Sequence, residues 1–223
     1  MVYNIAIDGP AGAGKSTIAK RVAKELSFIY VDTGAMYRAM AYYLLKQGAD
    51  GSDADEIAGK CRGADISIEY RDGEQIVLLN GENVNAYLRT EEVGNMASLS
   101  AANPSVRAKL LDLQRNLAAV KSVVMDGRDI GTTVLPNADV KIYLTASVDT
   151  RAARRYRELT EKGQECDMET IKKDIEERDY RDMHREIAPL CKAEDAVLVD
   201  SSEMTIGEVV GAILNTFSQK TGK

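Results

Sequence analysis

Residues 9–16 read Gly-Pro-Ala-Gly-Ala-Gly-Lys-Ser, and no other stretch constrains this chain as much. The spacing GxxxxGK[ST] follows the apolar run Tyr3–Asp8 and opens a helix-forming run from Lys15. Glycines in such a loop let the backbone curl until successive N–H groups point inward, at the positive end of a helix. That geometry holds a polyphosphate. Gly9, Pro10, Ala11, Gly12, Ala13, Gly14, Lys15, Ser16 and Thr17 form a candidate triphosphate cradle. Lys15 can bridge the β- and γ-phosphates, and the Ser16 hydroxyl can ligate Mg²⁺, directly or through a water.

A strand–loop–helix of this kind belongs to a parallel α/β architecture, and the rest of the chain agrees. Short apolar runs at Tyr3–Asp8, Phe28–Val31, Ser122–Asp126, Val140–Thr145 and Ala196–Val199 predict five buried strands. Between them, Lys15–Leu26, Ala35–Gln47, Pro104–Val120, Asp149–Lys162, Met168–His184 and Thr205–Ser218 predict helices. Asn103-Pro104 marks a helix start, a capping side chain followed by proline at the first helical position. From 64 to 84 the pattern changes to alternation, with Asp72-Gly73 and Asn80-Gly81 at hairpin-turn positions. This predicts a three-stranded antiparallel meander inserted into the parallel core. The last residues, SQKTGK, read as a frayed tail.

Cys61, Cys166 and Cys191 show no CxxC pairing, which argues against a disulfide framework or zinc site and for a reducing compartment. The N-terminus has no basic leader, and no run approaches the ~18 apolar residues of a membrane span. These features predict a cytoplasmic protein with no membrane partner. A net charge of −6 disfavours a nucleic-acid polymer as partner. The positive charge is clustered instead, in 151–157 and 177–185, as suits a small polyanion held in a cleft.

The loop alone serves GTPases, motors and kinases. No NKxD guanine-reading segment is present, and Val123-Val124-Met125-Asp126 lacks the acidic pair of many motor ATPases. A small-molecule kinase remains in front. Its chemistry must neutralise two anionic substrates, which arginine does with a planar, permanently charged fork. Arg151, Arg154 and Arg155 share one predicted helix face, and Arg178, Asp182 and Arg185 share another.

The ordered set GPAGAGKST (9–17), DTGAMYR (32–38), the 64–84 insert, NMAS (95–98), DGRD (126–129), RAARR (151–155) and ERDYRD–R (177–185) resembles bacterial cytidylate kinases, the longer nucleoside monophosphate kinase type. The similarity covers nearly the whole chain. It implies one domain over residues 1–223, a P-loop kinase core with a five-stranded parallel sheet flanked by helices. An acceptor-binding region with the β insert would cover about 33–103 and a short helical lid about 151–167. It also implies transfer from ATP, with Mg²⁺, to CMP or dCMP by a monomer. Arg38, Arg128 and Arg185 would hold the acceptor phosphate, Arg178 and Asp182 the ribose, and Ser98, Arg107 and Asp129 the base. Thr33 stands where many relatives carry serine and keeps the hydroxyl. Lys15, Arg128, Arg151 and Arg155 would act on the transferred group. A carboxylate at 129 suits the exocyclic amine of cytosine, and an arginine suits its N3 and O2. The alternatives are a kinase of this fold with another nucleoside monophosphate or metabolite acceptor, and a nucleotide-binding regulatory module without turnover. His184, the only histidine, reads as a surface residue.

Overall fold

The computed structural model describes residues 1–223. Five strands, β1 (Asn4–Asp8), β2 (Ile29–Asp32), β6 (Val123–Gly127), β7 (Val140–Thr145) and β8 (Val197–Asp200), form one sheet in the order β2-β6-β1-β7-β8. β1 pairs parallel with β7, and β7 with β8. The central strands are apolar along their length because helices cover both faces: Ile5, Ile7, Val124, Met125, Ile142 and Leu144 are fully buried. α1 (Lys15–Leu26) packs against α8 (Ile206–Thr221). There Tyr3, Phe28 and Phe217 meet with ring centroids 5.5–6.4 Å apart. α8 opens with a reciprocal capping box between Thr205 and Glu208.

The inserted segment is the expected meander: β3 (Ile66–Arg71), β4 (Glu74–Leu79) and β5 (Glu82–Asn83), antiparallel throughout. Both two-residue turns have positive φ at each position, 54° and 80° at Asp72-Gly73, 51° and 84° at Asn80-Gly81. α2 (Thr33–Lys46) packs against β4, against α4 (Glu91–Ser100) and against α5 (Pro104–Val120). Met36, Met40, Leu44, Val93 and Leu110 are buried in this part of the chain. The Asn103 side chain caps α5 at Ser105 N, 3.0 Å, with Pro104 at the first position.

The chain falls into two compact units, Met1–Val2 with Ile29–Val123, and Tyr3–Phe28 with Val124–Lys223. α6 (Val148–Glu161) and α7 (Met168–His184), both in the second unit, pack through Ala152, Ile171 and Ile175. One expectation needs correction. The C-terminal residues are not frayed: α8 continues to Thr221, and Gly222 caps it by donating to Ser218 O at 2.8 Å. The aromatic cluster around Phe217 anchors that last turn. α3 (Ala54–Lys60) and α4 were not anticipated. Gly59 and Gly94 interrupt them, and the first is too short to show a period.

Candidate active site

The loop Gly9–Gly14 leaves the sheet at the end of β1, beside β6 and β7, where chain connections diverge and α/β folds bind ligands. Gly9 has φ 152°, and a Cβ there would overlap the Leu144 carbonyl of β7, so only glycine fits. The curl presents the first-turn amides of α1 at the loop's mouth. Lys15 is buried, and its Nζ donates to the carbonyls of Gly9 and Pro10, each at 2.8 Å. Burial, then the charge of Arg128, drives its pKa well below the usual lysine value, against the pull of Asp126, Asp8 and Asp182. Ser16 Oγ donates to Asp126 Oδ2 at 3.0 Å. This places a hydroxyl and a buried carboxylate side by side, hard oxygen donors of the kind Mg²⁺ takes beside phosphate oxygens. The residues fit that ion.

β6 runs past Asp126 into Arg128 and Asp129. Arg128 Nε donates to Asp182 Oδ2 of α7 at 2.8 Å, and Arg185 Nη2 to Asp129 Oδ1 at 3.4 Å. Burial works against the charge of Arg128, but Asp182 and then Asp126 outweigh it and hold its pKa raised. Burial likewise opposes the Asp182 carboxylate, and Arg128, with Arg178 and Arg185 behind it, holds its pKa lowered. Beyond Asp129 the chain makes one turn of π-helix, Ile130–Val134, a geometry that gathers at functional sites. The Thr133 and Val134 amides close it on the Asp129 carbonyl, at 2.8 and 3.1 Å.

The arginines of α6 divide. Arg151 is only 4% exposed; its Nε donates to Ala146 O, and its Nη1 to Ala11 O of the phosphate loop and to Asp179 Oδ2 at 2.5 Å. Arg154 reaches Ala13 O at 3.4 Å and Ser201 O at 2.8 Å. Arg155 is exposed and donates to Glu158. Two of the three arginines on the expected phosphate face thus brace the loop from behind. His184 is exposed, as expected, and stacks on Tyr180.

The second unit therefore gathers Gly9–Thr17, Arg128, Asp129, Arg151, Arg155, Arg178, Asp182 and Arg185. Thr33, Arg38, Ser98 and Arg107 belong to the first unit. Thr33 is buried in the first turn of α2, which Asp32 caps at Ala35 N, 2.9 Å. Arg38 is half-buried on the same helix. Arg107 is 8% exposed, donates to Ala101 O at 3.3 Å and lies over the Tyr37 ring at 5.8 Å. Ser98 Oγ is buried with no hydrogen-bond partner, whereas Ser100, two residues on, makes the ordinary back-bond to Met96 O at 2.8 Å. A serine that only served its helix would bond as Ser100 does.

Sequence reasoning gave no role to Asp8, Asp126 or Asp179. For Asp126 a signal existed: an apolar buried strand that ends in a carboxylate near a phosphate loop. Nothing local marked Asp179 as the partner of an arginine 28 residues earlier.

A parallel sheet with this loop on its central strand, a lysine inside it and arginine–carboxylate pairs beside it defines a P-loop kinase. Solved structures agree on the fold: an uncharacterized protein from Eubacterium ventriosum ATCC 27560 superposes with TM-score 0.52 at 13% identity, covering 97% of this chain and 98% of that one. A gluconokinase from Sinorhizobium meliloti 1021 gives 0.50 at 14%, covering 97% and 92%. The family model "Cytidylate kinase" matches residues 5–219. Cytidylate kinases of Ligilactobacillus salivarius (strain UCC118) and Geobacillus sp. (strain WCH70) are each 50% identical, over 97% and 98% of this chain and 96% and 97% of theirs. The chain belongs to the cytidylate kinase family, and it is a nucleoside monophosphate kinase.

Proposed function

We propose that the chain transfers the γ-phosphoryl group of ATP to CMP or dCMP, giving ADP and CDP or dCDP. The observation that carries this reading is the 3.0 Å hydrogen bond from Ser16 of the triphosphate cradle to Asp126, two residues before Arg128 of the arginine–carboxylate cluster. Burial, and after it the charge of Arg128, depresses the pKa of Lys15 in that cradle. A cationic cradle joined to an arginine cluster suits two phosphates about to exchange a phosphoryl group. ATP would lie on the amides of 9–17, with Lys15 turning from the Gly9 and Pro10 carbonyls to the β- and γ-oxygens. Ser16 would hold Mg²⁺, with Asp126 as its carboxylate partner. When bound, the ion neutralises charge on the β- and γ-phosphates.

Arg38, Arg128 and Arg185 bind the acceptor phosphate in this reading, Arg178 and Asp182 orient the ribose, and the Thr33 hydroxyl joins the acceptor set. Ser98, Arg107 and Asp129 read the base, and the buried, partnerless Ser98 hydroxyl supports its place in that set. An oxygen of the acceptor phosphate attacks the γ-phosphorus while the bond to the β–γ bridging oxygen breaks. That oxygen is already ionised at neutral pH, so no general base is required and catalysis is positioning plus charge neutralisation. Residues 151–167 act as the lid, with Arg155 its exposed cation, and 33–103 as the acceptor-binding region of a single kinase domain. The working form is a monomer in the cytoplasm; sedimentation checks the first point. No helix is long and apolar enough to cross a membrane.

ATP consumption with Mg²⁺ and CMP, dCMP, UMP, AMP or GMP, offered separately, tests the reading. Turnover confined to the cytidine nucleotides is expected. Turnover of another acceptor would keep the kinase and overturn the base-reading roles. Silence with all five from protein that binds ATP would overturn the acceptor assignment altogether.

A further inference from the structure

β1 ends on a carboxylate that the chemistry above does not use. Asp8 is 4% exposed and directly precedes Gly9. Its Oδ1 accepts from Ile130 N at 2.8 Å and its Oδ2 from Gly131 N at 2.7 Å. These are the two amides that follow Arg128-Asp129. The seat is close: a Cβ on Gly131 would stand 3.2 Å from the Lys141 side chain and 3.4 Å from Asp8 Oδ2. One side chain thus ties the foot of the phosphate loop to the segment that carries Arg128 and Asp129.

Two N–H donors converging on two oxygens ask for a carboxylate. An amide there would turn its own NH₂ toward one of the donors. Holding the anion is costly. Burial lifts the Asp8 pKa to about 6, and Asp129 adds to the rise, while the Gly131 and Ile130 amides and Lys15 oppose it. The facing titratable groups are Lys15 of α1, Asp129 of the loop, and Tyr143 and Lys141 of β7, the last with its ammonium on Asp195 at 2.9 Å. The native state binds this proton more tightly than the unfolded chain, whose carboxyl titrates near 3.8. Asp8 therefore lowers stability as pH rises from about 4 to 6 and leaves it lower at neutrality. A group that weakens the fold at working pH, yet is held by two short bonds, has a use other than stability.

We propose that Asp8 is a positioning residue for the acceptor, clamping Ile130 and Gly131 so that Arg128 and Asp129 stand at a fixed place beside the phosphate loop. The proposal rests on the phosphoryl-transfer reading above.

The test is Asp8→Asn in the full chain, followed by melting, ATP binding and acceptor kinetics across a range of pH. At pH 8 the variant should lose about ten- to a hundredfold in kcat/KM for CMP, the scale of a small misplacement. Its ATP dissociation constant should stay within about twofold, and its Tm should shift little, because losing the buried charge offsets the one N–H left facing an amide. The parent-to-variant ratio should shrink toward one as pH drops below about 6 and Asp8 gains its proton. Ionisation of the acceptor phosphate, also near pH 6, cancels in that ratio. Equal kcat/KM at pH 8, a ratio indifferent to pH, or a loss shared equally by Tm and ATP binding would overturn the proposal. A parent inactive toward CMP would instead overturn the acceptor reading, and the ratio would then be taken with the acceptor it does use. Should the variant not fold, the parent decides: the Ile130 and Gly131 amides and Arg128 Nε should titrate together in ¹⁵N spectra, and an Arg128 signal that ignores that step would count against the clamp.

Discussion

Arg151, Arg154 and Arg155 lie within five residues and end in different environments. Arg151 is buried on Asp179 and on the phosphate-loop carbonyl of Ala11, whereas Arg155 is exposed beside Glu158. Replacing each by alanine should separate the two behaviours. Arg151→Ala strands the buried Asp179 carboxylate and should cost about 3–5 kcal/mol, read as a lower denaturant midpoint. Arg155→Ala should leave stability within about 0.5 kcal/mol, since surface changes usually do. In the lid assignment it lowers kcat far more than it weakens acceptor binding. Equal ATP turnover by that variant and the parent would remove Arg155 from the reaction. The sequence showed that arginines cluster here. It could not show which one turns inward, because that depends on an acid 28 residues away and on where the loop carbonyls point.

Elements with a local cause were legible, and those stabilised from a distance were not. Asp72-Gly73 and Asn80-Gly81 specify their turns through positive φ, so the meander could be read directly. Asn103-Pro104 marks the start of α5 in the same way. Gly81 has φ 84° and open space where a Cβ would stand, so a side chain there meets only backbone strain. Gly81→Val should therefore cost about 1–2 kcal/mol in a melt, with ATP affinity unchanged, because the insert lies outside the unit that holds the phosphate loop. A larger loss would mean that the turn supports more than its own hairpin. α3 and α4 carry glycines, α3 is too short to show a period, and the π turn after Asp129 has no local signature. Its amides close on Asp129 O, and Asp8 takes up Ile130 N and Gly131 N.

For the molecule as a whole, ligand binding and folding are linked. ATP with Mg²⁺ at about a hundred times its dissociation constant should add ~2.7 kcal/mol to stability. Each kcal/mol moves the Tm of a chain this size by about 2–4 °C, so scanning calorimetry should show a rise of several degrees. The same experiment on Lys15→Ala should show little of that rise; an equal rise would place the triphosphate elsewhere. By itself the sequence determined the strand–loop–helix cradle, the parallel sheet, the inserted hairpins and the side chains suited to two phosphates, because periodicity, turn chemistry and motif spacing are local properties. Tertiary structure alone decided that Asp126 meets Ser16, that Asp182 takes Arg128, that Arg151 is a brace and that Asp8 clamps the amides after Asp129. Each of those pairs joins residues at least 28 positions apart, and a buried charge takes its partner from the fold rather than from its neighbours in the chain.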